Sequence, residues 1–86
     1  LLFPELNEEK RKEIVKDIKK MAEKAKVSIR SIRREGIDQA KAEQKEGELT
    51  EDELKNAENE IQKITDKNID EIDEILARKE KEIMSI

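Results

Sequence analysis

Apolar or small residues recur along the first half of the chain at Val15, Ile18, Ala22, Ala25, Ile29, Ile32 and Gly36. The steps alternate between three and four, the spacing of one helical face. Ile14 and Met21 widen that face on one side. Upstream, Pro4 disfavours helix at Phe3, so residues 1–6 read as extended. Asn7 can cap a helix whose first turn, "EEKRKE", opens with acids. The pattern runs to about Glu46, where Gly47 stands near the C′ position.

The second half restarts at "LTEDEL". Thr50 is the predicted N-cap, and Glu53 three residues on completes a capping box. Leu54, Ala57, Ile61, Ile64, Ile72, Ile75, Leu76 and Ile83 then follow at helical spacing. The reading is a single all-α unit over 1–86, with helices at about 8–46 and 51–84 and a turn at about 47–50. So short a connection makes the pair an antiparallel hairpin. At 1.5 Å per residue each helix would be roughly 50–57 Å long. Ile18, Ile29 and Ile32 are expected to face Ile61, Ile64, Ile72 and Ile75.

The apolar faces are wide, roughly 120° on the first helix and roughly 140° on the second, where a strict two-helix seam is narrower. Faces of that width suit helices with more than one neighbour, the plain alternative being a hairpin with an exposed flank. The hairpin packs against a third helix supplied from elsewhere, or self-associates into a four-helix arrangement. Met21, Ile69 and Leu76, toward the margins, are expected to meet that extra neighbour.

Composition alone would fit a disordered chain: 49% of residues are charged and 34% apolar, with one aromatic. The helical spacing overrides that reading, and two Gly and one Pro interrupt little. Cysteine and histidine are absent, which removes disulfides, thiol nucleophiles and Cys/His zinc sites. The usual general base is missing as well. No apolar run approaches the ~18 residues of a membrane span. "LLFPEL" is too short and lacks the basic lead of a signal peptide. A soluble, reducing compartment is the expected setting.

Charge divides the chain. Glu8–Glu46 carries 13 basic and 9 acidic residues, whereas Glu48–Ile86 carries 6 basic and 13 acidic. Lys12, Lys16, Lys19, Lys26, Arg30, Arg33 and Arg34 fall within about one-third of the helical wheel, beside the apolar face. Such a stripe is the footprint of a polyanion site. Lysines opposite a core face commonly do no more than keep a helix soluble. The arginines differ, because i,i+3 and i,i+4 spacing gathers three planar donor forks suited to phosphate. Few acids stand nearby to neutralise them, Glu23 and Glu35 being the local candidates.

Other chemistries fail on their spacing. "DKNIDEIDEI" from Asp66 imitates a calcium loop, but position six is Glu71 rather than Gly and position twelve is Ala77 rather than Glu. Isolated Gly36 and Gly47 build no phosphate-cradling loop. Base stacking lacks aromatics. A zipper-type DNA binder needs a sustained leucine heptad that is not here. No catalytic constellation is visible, so the chain is read as a non-enzyme without cofactor.

Two long segments resemble ribosome recycling factor, specifically its helical domain. "LNEEKRKEIVKDIKKMAEKAKVSIRSIRREGID" is similar to the family's second helix, and "KEGELTEDELKNAENEIQKITDKNIDEIDEILARKEKEIMSI" to its turn and C-terminal helix. "EIQKITD" and "KEKEIM" are characteristic. The resemblance covers residues 4–86. It implies a fragment of an L-shaped protein, without the family's first helix and inserted β-rich domain. Asn7, Ser31 and Gly36 depart from the usual Thr, Asn and Ala. The implied function is ribosome recycling in the cytoplasm or an organelle. The family binds large-subunit ribosomal RNA after termination and, with elongation factor G, splits the ribosome. By motif, Arg30, Arg33 and Arg34 would be RNA contacts, with Arg11 matching a further one. Lys26 joins them as part of the basic stripe. The competing reading is a scaffold module that captures a partner helix on its apolar faces.

Overall fold

The computed structural model describes residues 7–85. The extended reading of residues 1–6, with its Pro4 argument, lies outside the described residues. Helix α1 spans Glu8–Lys45 and helix α2 spans Glu51–Ser85. They form an antiparallel hairpin measuring 67 × 17 × 15 Å. The Asp66–Ala77 stretch is continuous helix, so its carboxylates line a helix rather than a loop.

Local chemistry accounts for the ends. The Asn7 side chain accepts from the Lys10 backbone N–H at 2.7 Å. The capping box at α2 is complete: the Glu53 N–H donates to Thr50 Oγ1 at 3.1 Å, and the Thr50 N–H donates to Glu53 Oε1 at 2.9 Å. At the end of α1, Gly47 adopts φ 81°, the left-handed conformation that suits glycine. Its N–H donates to the Gln44 carbonyl, and the Glu48 N–H reaches back to Glu43 at 2.8 Å. This is a Schellman stop, satisfying carbonyls that the helix end would leave open.

The seam between the helices is thin. Only Val15 (8% exposed), Ala40 and Thr65 are buried among the described residues. The Thr65 hydroxyl donates to the Ile61 carbonyl at 2.7 Å, so its burial strands no polar group. Small side chains let the backbones approach, and the larger isoleucines flank them. Ile18, Ile29, Ile61 and Ile72 are half-buried. Ile32, Ile64 and Ile75 are not at the seam as the spacing predicted; they are 66%, 57% and 51% exposed. Of the three residues assigned to the margins, Met21 is 67% exposed, whereas Ile69 and Leu76 are half-buried. The cause is phase. Two helices bury only a narrow strip each, so one side of each wide apolar face is left over.

That leftover side is common to both helices. It forms a long open groove along the hairpin, lined at one level by Ile18, Met21, Ile72 and Ile75, and at another by Ile29, Ile32, Ile61 and Ile64.

Candidate nucleic-acid interface

The flank opposite the groove is ionic. Lys19 Nζ lies 3.4 Å from Glu80, and Lys26 pairs with Asp73. The partner numbers fall as the lysine numbers rise, which is the antiparallel register read in charges. Lys26 is the more committed of the two: its side chain is only 14% exposed. The remaining ion pair among the described residues, Lys79 with Glu82, is internal to α2.

No arginine of α1 takes part in an ion pair among the described residues. Arg30 and Arg34 are exposed, while Arg33 and Arg11 are half-buried. Nε of both Arg11 and Arg33 is buried and has no hydrogen-bond partner. Arg33 lines the open groove beside Ile29, Gly36 and Ile61. Its stem is thus held by apolar neighbours, as long cationic side chains often are, and its charge is unsatisfied within the hairpin. The nearby acids Glu23, Glu35 and Asp38 form no pair with the cluster.

The hairpin therefore engages two of its α1 lysines and leaves the arginine cluster unpaired among the described residues. α2 neutralises Lys19 and Lys26, whereas Arg30, Arg33 and Arg34 are held within about a turn of one another with no counter-charge among the described residues. Lys26, grouped with the arginines on the sequence, is engaged by Asp73. Lys12 and Lys16 remain exposed on the same helix. Asp73 and Glu80 were not singled out by the sequence, because only the register between the helices identifies them. Among the described residues no set of three or more carboxylates, histidines or cysteines gathers for a metal ion, and no helix is long and apolar enough to cross a membrane. The chemistry on offer is recognition of an anion by planar donors.

Comparison with known proteins agrees with the motifs. The family model described as ribosome recycling factor matches residues 1–84. Over all 86 residues the chain is 59% identical to the ribosome-recycling factor of Caldicellulosiruptor saccharolyticus, covering 47% of that protein. It is 60% identical to that of Clostridium perfringens, covering 46%, and 55% identical to that of Staphylococcus carnosus, covering 47%. The chain spans about half the length of the curated relatives it matches. With the family model matching nearly the whole hairpin, the chain belongs to the ribosome recycling factor family.

Proposed function

We propose that the chain is the RNA-docking hairpin of a protein that recycles ribosomes after termination. In this reading Arg30, Arg33 and Arg34 bind phosphates of large-subunit ribosomal RNA, and Arg11 adds a contact near the other end of α1. Lys26 contributes field rather than a direct bond, since Asp73 holds its ammonium. Elongation factor G, acting on the same ribosome, supplies GTP hydrolysis, and the hairpin performs no chemistry of its own. A third helix, from the remainder of a chain of the relatives' full length, covers the apolar groove.

The observation that carries this reading is the gathering of Arg30, Arg33 and Arg34 with no ion pair among the described residues. Of the α1 cations, only Lys19 and Lys26 are paired among the described residues; what sets the arginines apart is that three planar donor groups are gathered within about a turn. Three arginines without internal partners suit an external polyanion. Arg30 and Arg34 are exposed, so replacing them tests binding without disturbing packing. In the intact protein, Arg30→Glu with Arg34→Glu should weaken binding to isolated large subunits. It should also flatten the dependence of log K on log salt by about 0.7–0.9 for each phosphate no longer neutralised. Unchanged affinity and slope in a protein with normal circular dichroism would refute the assignment.

The open groove favours a second reading, a scaffold that captures a partner helix. Salt separates the two. Apolar capture changes little as salt rises, whereas phosphate binding falls steeply.

A further inference from the structure

Six large apolar side chains are exposed among the described residues: Met21, Val27, Ile32, Ile64, Ile75 and Met84. Four of these line the open groove and one, Met84, sits beside Val15 and Lys16 at the far end. Val27 belongs to neither place. It is 60% exposed, and the hairpin gives it no packing role. It is also a costly choice there. A β-branched residue loses side-chain freedom in a helix, so Ala or a long polar residue would suit an exposed position better.

Its neighbours are informative. Arg30, Ser31 and Arg34 follow at i+3, i+4 and i+7, the set that shares one helical face with Val27. All four are exposed. Arg34 lies within about 20° of Val27 around the helix and about 10 Å along it. Glu23, one turn before Val27, and Asp38, one turn after Arg34, bound the patch at its two ends. The result is an apolar knob, a hydroxyl and two guanidinium groups on one continuous surface.

This pattern matches the edge of an RNA strand. Phosphates alternate with riboses, each offering a carbon edge and a 2′-hydroxyl. We propose that Val27 is an apolar RNA contact, packing on a ribose beside the phosphates taken by Arg30 and Arg34, with Ser31 positioned to meet a 2′-hydroxyl. The inference rests on the RNA-docking reading above and adds to it a contact that carries no charge. Its contribution is therefore insensitive to salt, unlike that of the arginines.

The test uses the intact protein and isolated large ribosomal subunits. Val27→Ala removes two methyl groups and raises helix propensity, so the fold is not at risk. Binding should weaken about five- to tenfold with an unchanged salt slope, as partial burial of those groups implies. Val27→Thr keeps the shape and wets the contact; it should show a comparable weakening. If Val27→Ala binds within twofold of wild type while Arg30→Glu with Arg34→Glu binds weakly, the Val27 assignment is overturned and the docking reading stands. If both variants bind like wild type, the docking reading itself fails.

Discussion

The two flanks of the hairpin solve opposite problems with the same pair of helices. On one flank, Lys19 and Lys26 meet Glu80 and Asp73, so the hairpin supplies its own counter-charges. On the other, Met21, Ile32, Ile64 and Ile75 face outward and have no internal cover. The ionic flank is closed by two helices, and the apolar flank is not. The difference teaches that completeness is not uniform in a small helical unit. Polar satisfaction can be local to a hairpin, because one pair of side chains suffices. Apolar burial cannot, because two cylinders hide only a strip of each other's surface.

The largest effect should come from the open flank. If a third helix covers the groove in a chain of the relatives' full length, Ile64→Ala and Ile75→Ala should each destabilise that longer chain by about 2–5 kcal/mol, the range for buried Ile→Ala. In the 86-residue hairpin the same changes should cost under about 1 kcal/mol, since both side chains are more than half exposed. Equal costs in the two proteins, measured by urea unfolding, would break the contrast between flanks. A related outcome is that the isolated hairpin should melt at a temperature that rises with its concentration, because self-association would cover the same groove. A concentration-independent melt of a monomer would count against it.

Next in size is the ionic flank. A double-mutant cycle on Lys26 and Asp73 should give a coupling of about 1 kcal/mol, since Lys26 is mostly buried while Asp73 remains half-exposed. Lys19 with Glu80 should give no more than about 0.5 kcal/mol, being open to solvent. Coupling that is equal at the two sites would show that burial of Lys26 does not matter.

The smallest shift concerns Gly36, which lies on the groove side. A Cβ there would sit 3.4 Å from Ile61 Cδ1, an ordinary contact. Gly36→Ala should therefore stabilise the hairpin by somewhat under 1 kcal/mol, close to the propensity difference alone. Destabilisation on thermal melting would mean that Ile61 cannot yield.

Much of this was legible in the sequence, and unevenly so. Asn7, Gly47 and the Thr50–Glu53 box announced the helix ends because capping is local: the donor, the acceptor and the turn lie within a few residues. The hairpin followed from the short connection. The roles of individual isoleucines did not follow. Ile32 and Ile29 are adjacent on one helical face, and which of them enters the seam depends on a small rotation set by Val15, Ala40 and Thr65. The arginine cluster was legible as a cluster, since its spacing is local too. Its contrast with Lys19 and Lys26 was not, because Asp73 and Glu80 are found only through the register of one helix on the other. Val27 falls outside the apolar face that the spacing traces, and its exposure is what the structure adds.

The Schellman stop at Gly47 has a consequence for how the hairpin comes together. Pairing near that turn closes a short loop, whereas bringing Lys19 to Glu80 first would close one of about 60 residues. The favoured route is a zipper that runs from the turn toward Asn7 and Ser85, each new tooth held close by the last. The same order holds in reverse. In the 86-residue hairpin, amide exchange should be fastest at the end away from the turn and slowest on the turn side of the Lys26–Asp73 pair. Arg30, Arg33 and Arg34 sit on that slower side, so the helix that presents them stays formed while the far end opens and recloses.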